Sequence, residues 1–306
     1  MTPITLDRVT KRYGRTTAVR DLSLSVGAGE MFGVIGPDGA GKTTAIRLIC
    51  GLLKPDAGRV GVLGLDPARE HRRLTESVGY LSQRFSLYGD LSVDENIAFF
   101  AEIHGLREYR ARRDRLLEMT QLAPFRSRLA DRLSGGMKQK LALACTLVHE
   151  PALIVLDEPT TGVDPISRRE FWKLLAEFLA QGMTIVMATP YLDEAERCGR
   201  VALLHEGRLL ALDRPDALRA TLTGALLEVI VTDHRTAPAI LGRIPGVTGV
   251  QMFGERAHVR MDRSGADAAG ELIARAAEAG LGVTNIRPID TSLEDVFIAR
   301  LHEAIP

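Results

Sequence analysis

The sequence predicts an α/β protein: a mostly parallel sheet covered by helices, followed by a smaller α+β domain. Three observations carry this. First, "MFGVIG" (31–36) is a continuous apolar run that ends in glycine and leads directly to "KTTAIRLICGLL" (42–53), which has helical periodicity. Second, two further apolar runs, "ALIVLDEP" (152–159) and "MTIVMAT" (183–189), read as buried strands. Third, beyond residue 224 the pattern changes to short strands and helices in the order β-α-β-β-α-β.

Taken along the chain, "ITLDRVT" (4–10) and "AVRDLSLSV" (18–26) alternate apolar and polar residues, so they read as half-exposed antiparallel strands. From Val93 to Glu150 helical patterns dominate: "VDENIAFFAEIHG", "REYRARRDRLLEMTQL" and "SGGMKQKLALACTLVHE". "RVALLHEGRLLAL" (200–212) reads as a hairpin turning at Glu206-Gly207. Strands alternating with helices imply a mostly parallel sheet. The tail reads as strand "ALLEVIVT", helix "TAPAILGRI", strands "VTGVQMF" and "RAHVRMD", helix "ADAAGELIARAAEAG", strand "VTNIRPI" and a last helix "SLEDVFIARLHEA". This sets the expected domains at 1–220, with a helical subdomain at about 85–150, and 225–306. There is no internal repeat and no low-complexity segment.

Composition narrows the classes. The 306 residues are 45% hydrophobic and 25% charged, as in a globular chain that buries a sizeable core. Lys+Arg and Asp+Glu balance at 39 each, which argues against a general nucleic-acid or membrane-surface binder and leaves a local basic patch open. Cys50, Cys145 and Cys198 are scattered without metal spacing, so a reduced cytosolic chain is expected. No apolar run approaches the roughly 18 residues that span a bilayer. "MTPITLDRVTKRYG" lacks the apolar core of a signal peptide. A membrane role would need another chain to supply the membrane part.

Three motifs carry chemistry. "GPDGAGKT" (Gly36, Pro37, Asp38, Gly39, Ala40, Gly41, Lys42, Thr43) matches GxxxxGK[ST], followed by Thr44. Its glycines let backbone N–H groups curl around a phosphate chain, and the helix that follows points its positive end at the phosphates. Lys42 reaches the β- and γ-phosphates and the Thr43 hydroxyl can ligate Mg²⁺. "LIVLDEP" (153–159) ends an apolar strand in two acids: Asp157 can hold Mg²⁺ and Glu158 can polarise an attacking water. On its own such a strand end could equally be a solvated loop. "LSGGMKQ" (133–139) places Ser134 as an N-cap and Gly135 and Gly136 at an exposed helix N-terminus. On its own it could be an ordinary capped helix.

The three motifs in this order resemble the ATP-binding cassette of ABC transporters, over residues 4–220. Lesser elements agree. Tyr13 in "KRYG" matches the aromatic that stacks on adenine. Gln83 in "YLSQ" matches the glutamine that touches Mg²⁺ and the attacking water. Asp164 in "TTGVDP" matches the D-loop aspartate. Singly, Tyr13 and Gln83 would pass as ordinary surface residues. The resemblance implies a P-loop NTPase fold with an antiparallel β subdomain and a helical subdomain. It implies ATP and Mg²⁺ as cofactors, and a second ATPase subunit, identical or not, in head-to-tail contact. In that contact Ser134, Gly135 and Gly136 of one chain cap the γ-phosphate held by the other.

Four positions depart from the family pattern. Asp38 stands for an asparagine, Met137 for a glutamine and Val163 for a leucine. Pro190 stands where a histidine normally contacts the γ-phosphate, and proline offers neither a side-chain donor nor an N–H. His205 belongs to another strand and is not a substitute. Two readings compete: slow or differently gated hydrolysis through Glu158, Mg²⁺, Lys42 and Gln83, or a regulatory cassette that binds ATP with little or no turnover. Retention of Glu158 and the signature favours the first, because loss of one donor to a transition state slows a reaction about a hundredfold or more without abolishing it.

The tail, ending "TSLEDVFIARL" (291–301), resembles the ferredoxin-like accessory domain of daunorubicin-type drug-resistance ATPases, which serve ABC-2 permeases. That resemblance implies a multidrug-export ATPase, peripheral on the cytoplasmic face of the cell membrane, partnered by an integral permease and with no nucleic acid. A generic regulatory domain remains the alternative for the tail. Phe85, Leu87 and Tyr88 read either as a patch for the permease or as core.

Overall fold

The computed structural model describes residues 2–83, 87–262 and 266–304. The chain divides into two compact units, Met1–Pro215 and Asp216–Pro306.

The first unit opens with β1 (Ile4–Tyr13), β2 (Thr16–Val26) and β3 (Met31–Ile35), then α1 (Lys42–Ile49), β4 (Ala57–Val62), α2 (His71–Thr75) and β5 (Val78–Leu81). Three longer helices follow, α3 (Val93–Ile103), α4 (Arg110–Met119) and α5 (Gly135–Leu147). The unit continues with β6 (Leu153–Asp157), α6 (Pro165–Ala180), β7 (Thr184–Thr189), α7 (Leu192–Ala195), β8 (Arg200–His205) and β9 (Arg208–Asp213); α8 (Pro215–Ala220) spans the division.

Six strands form one sheet in the order β5-β6-β7-β3-β8-β9. All pairs are parallel except β8 with β9. Every residue of β3, β6 and β7 is buried, as expected of parallel strands covered on both faces. The predicted hairpin at Glu206-Gly207 is present, with both residues at positive φ (47° and 77°), as a tight type I′ turn requires. A separate antiparallel sheet runs β2-β1-β4, and its apolar faces join α1 and the main sheet in one core that includes Ile4, Leu22, Phe32, Ile46 and Val186.

The helical segment is tied down by local chemistry. A full capping box, Ser92 with Glu95, starts α3. Asn96 is completely buried; its amide donates to the carbonyls of Tyr88, Leu91 and Ser92, and its oxygen accepts the Tyr88 N–H at 2.9 Å. That fixes the loop before α3. Arg126 bonds both Asp94 and Asp114, joining α3 to α4. Leu87 is partly buried, and Tyr88 is exposed with its ring edge-on to Phe99 at 4.5 Å. Phe85 lies outside the described residues.

The second unit contains β10 (Ala225–Val231), α9 (Ala237–Leu241), β11 (Val247–Phe253), β12 (Arg256–Met261), α10 (Ala266–Glu278), β13 (Val283–Pro288) and α11 (Leu293–Ala304). The order β-α-β-β-α-β plus a helix is the one predicted. The four strands form an antiparallel sheet ordered β11-β12-β10-β13. One face buries Leu227, Val229, Val259 and Met261 with Leu241 and Leu272 from α9 and α10. On the central strand Glu228 joins Arg287 at 2.7 Å and Arg256 at 3.3 Å, one partner from each neighbouring strand.

Candidate phosphate and nucleotide site

The phosphate loop forms between β3 and α1, where the chain has to turn tightly next to other backbone. Gly41 has φ 99°, and a Cβ there would lie 2.3 Å from the carbonyl oxygen of Ala18. Only glycine fits such a position. The turn leaves Lys42 at the first position of α1, almost fully buried. Its Nζ bonds the Pro37 carbonyl at 3.0 Å, pairs with Glu158 Oε1 at 3.3 Å and lies 4.0 Å from the exposed Asp38.

The acids arrive on β6. Asp157 is its last residue and accepts a hydrogen bond from the Thr43 hydroxyl at 3.0 Å. Burial pushes the Asp157 carboxyl above the ordinary aspartate range, while the bond from Thr43 opposes that shift. Tyr80 of β5 points its hydroxyl at the other oxygen of Asp157, 3.5 Å away. Burial and the Asp157 charge push that phenol up to about 12, so it stays a donor. Glu158 has positive φ (50°) and its N–H is held by the Ala188 carbonyl of β7 at 2.9 Å. The side-chain amide of Gln83 donates to Glu158 Oε2 at 2.9 Å. One carboxylate thus takes both the phosphate-loop lysine and Gln83.

Lys42, Thr43, Gln83 and Glu158 border a cleft of about 640 Å³, whose lining does not include Asp157. It is lined by Asp38, Gly39, Ala40, Gly41, Lys42, Thr43 and Thr44, by Gln83 and Glu158, and by Thr16, Thr17, Ala18, Arg20 and Glu206. None of the last five was read as a site residue from sequence. Thr16 to Arg20 follow the "KRYG" turn, and Glu206 sits in the β8–β9 turn. That turn is tied to the loop: the Gly207 N–H donates to the Ala40 carbonyl at 3.0 Å, and the Arg20 N–H to the Gly207 carbonyl at 2.7 Å. A larger depression of about 870 Å³ around Leu53, Arg59 and Asp66 contains no phosphate-loop residue.

Other predicted residues lie elsewhere. Tyr13 is exposed at the end of β1. Ser134 caps α5, its hydroxyl accepting the Met137 N–H at 3.3 Å. A Cβ on Gly136 would lie 2.2 Å from the Ser167 hydroxyl, so the signature helix meets α6 closely. Asp164 caps α6 through the N–H groups of Ile166 and Ser167, both at 3.0 Å. Bonds from Ser167 and Ile166 hold its carboxyl below the ordinary range. Neither the signature residues nor Asp164 nor Tyr13 lines the cleft. Pro190 follows β7 directly.

The residues fit a nucleoside triphosphate with a hard divalent cation. The loop is a backbone cradle that a Cβ at Gly41 would break, and it has a buried ammonium at its base. The Thr43 hydroxyl, the Asp157 carboxylate and the Gln83 amide are oxygen donors of the kind Mg²⁺ takes.

With fold and site in view, comparison with known proteins defines the class: the chain belongs to the ABC transporter family. The family model described as "ABC transporter" matches residues 19–161. The chain is 36% identical over 303 residues to the daunorubicin resistance ATP-binding protein DrrA3 of Streptomyces coeruleorubidus, covering 97% of this chain and 95% of that protein. It is 49% identical over 225 residues to YbhF of Escherichia coli (strain K12), a probable multidrug ABC transporter ATP-binding protein, covering 72% of this chain but only 39% of YbhF. A solved dimer of the cassette MJ0796 in a post-hydrolysis state with ADP and Pi superimposes with a TM-score of 0.62 at 28% identity, over 69% of this chain and 98% of that one. No helix among the described residues is long and apolar enough to cross a membrane.

Proposed function

We propose that this chain is the ATP-binding and ATP-hydrolysing subunit of an exporter that moves a drug-like or lipophilic compound through a separate ABC-2-type permease. The observation that carries the reading is the buried Lys42–Glu158 pair at the mouth of the phosphate loop, joined by the exposed Gln83 and beside the Thr43–Asp157 pair. Lys42 exchanges Glu158 for the β- and γ-phosphates. Glu158, released, accepts the proton of an attacking water, and Gln83 orients that water. Bound Mg²⁺, held by Thr43, Asp157 and Gln83, would neutralise charge on the phosphates. Tyr13 stacks on the adenine. The likeness to DrrA3, a daunorubicin resistance protein, and to YbhF, a probable multidrug transporter protein, supports the export role and the cargo class.

Ser134, Gly135, Gly136 and Asp164 act in trans in this reading. The dimeric state of the MJ0796 cassette supports it. The active form is a head-to-tail dimer at the cytoplasmic face of the membrane, with the second unit as a ferredoxin-like accessory domain. Its β11-β12-β10-β13 order supports that assignment. Retention of Glu158 beside Lys42 favours turnover despite Pro190.

The test is ATP binding and steady-state hydrolysis by the purified chain and by Lys42→Ala. Loss of both in the variant is expected. Unchanged binding and turnover in Lys42→Ala would remove the phosphate-loop assignment.

A further inference from the structure

Glu194 lies in α7, four residues beyond Pro190, and is 1% exposed. Both of its oxygens are engaged. Oε1 accepts the Thr160 hydroxyl at 2.5 Å and the Arg168 guanidinium at 2.8 Å. Oε2 accepts the Thr189 hydroxyl at 2.7 Å. Thr189 Oγ1 in turn accepts the Tyr191 N–H at 3.1 Å, so the turn that contains Pro190 is clamped on both sides.

The three donors come from three segments: the turn after Glu158, the start of α6 and the end of β7. Thr160 is two residues beyond Glu158, and the Glu158 N–H is bonded to Ala188, the neighbour of Thr189. Arg168 sits in the first turn of α6, its N–H bonded to the Asp164 carbonyl at 2.9 Å. The adjacent Ser167 is the residue on which Gly136 closes. A carboxylate buried this deeply is tolerated only while its donors stay in place, so it constrains all three at once.

We propose that Glu194 is a positioning residue that fixes the Glu158 strand end, the Pro190 turn and the Asp164–Gly136 corner in one arrangement. It thereby couples the cleft of one chain to the surface that faces the second nucleotide in the dimer. The inference rests on the ATPase reading above. It assigns to a buried charge the ordering of a turn whose own side chain, proline, bonds nothing.

The experiment compares wild type with Glu194→Gln, Thr160→Val and the double variant, measuring kcat, KM, ATP dissociation constant and melting temperature. Glu194→Gln keeps the shape and removes the charge; Thr160→Val removes one donor and is the milder change. The expected result is a kcat lowered about tenfold or more in Glu194→Gln, with KM and ATP affinity within about twofold, the signature of an interaction needed after binding. The double variant falls no further than Glu194→Gln, because both act through the same carboxylate. An unchanged kcat overturns the proposal. So does a parallel loss of affinity, turnover and melting temperature.

If wild type binds ATP without turning it over, the hydrolytic reading fails separately. The proposal is then judged by sedimentation of Glu158→Gln with and without Glu194→Gln. A requirement for about tenfold more ATP to dimerise supports it, and an identical requirement overturns it.

Discussion

Replacing Glu158 by glutamine tests whether its pairing with Lys42 competes with nucleotide phosphates for that lysine. The carboxylate pairs with Lys42 at 3.3 Å and accepts from Gln83 at 2.9 Å, and Lys42 and Glu158 are both nearly buried. Breaking a buried pair costs about 3–5 kcal/mol where it strands a charge. Lys42 keeps the Pro37 carbonyl at 3.0 Å, and the new amide can still accept from it. The loss is therefore nearer that of one charge-assisted hydrogen bond, about 2 kcal/mol. In a domain of this size that lowers the melting temperature by about 4–8 °C. With Mg-ATP at a hundred times its dissociation constant, binding adds about 2.7 kcal/mol. The gain is larger in the variant, because Lys42 need not first leave a charged partner. The assay is thermal melting with and without Mg-ATP, at protein concentrations where the chain stays monomeric. Glu158→Gln melts below wild type without nucleotide, and the gap closes or reverses with it. Equal melting temperatures without nucleotide, or a gap that ATP leaves untouched, would refute the reasoning.

Three further outcomes are expected. Tyr13→Ala weakens ATP binding by about tenfold, the scale of one base–aromatic stack, and leaves tripolyphosphate binding unchanged; equal losses in calorimetric titrations would remove Tyr13 from the base site. Pro190→His raises steady-state turnover by about ten- to a hundredfold, the scale of one restored transition-state donor, and an unchanged rate would mean the turn does not reach the reacting phosphate. His149 stacks on His104 at 3.8 Å, and burial with the neighbouring His104 lowers its pKa from 6.5 to about 4. A depressed histidine binds its proton in the unfolded chain first, so stability is complete above the ordinary value and falls as pH drops through the window from 6.5 towards 4. Melting curves from about pH 7 to about pH 5 should show that decline, and it should flatten in His149→Phe, which keeps the stacked ring.

Much of this arrangement is readable in the chain, for identifiable reasons. β3, β6 and β7 are readable as apolar runs because both faces of a parallel strand are covered. The tail reads correctly because each of its short strands is bounded by turn residues. β4 and β5 are absent from the sequence reading. "AGRVGV" carries two glycines and little apolar side chain, and "VGYL" is only four residues long, so neither shows a period. α6 is also absent from it, although Asp164 at the cap and Pro165 at the first turn are a readable start signal. Thr16, Thr17, Arg20 and Glu206 reach the cleft only because β2 and the β8–β9 turn fold against the phosphate loop, a contact between residues nearly two hundred positions apart. The Glu194 cluster is hidden for the same reason: its four members are spread from Thr160 to Glu194 on four elements or turns, with nothing in their spacing to mark them.

The order β6-β7-β3 has a consequence for how such a chain can change over time. The phosphate loop leaves β3 and the acids leave β6, with β7 alone between them. Their separation is therefore two strand spacings, about 10 Å, set by backbone pairing. Residues inserted between α3 and α4 lengthen the excursion from the sheet without altering that distance. The helical stretch from α3 to α4 is free to be rewritten to suit a different neighbour, while the chemistry stays anchored on a lattice that moves only in whole strands.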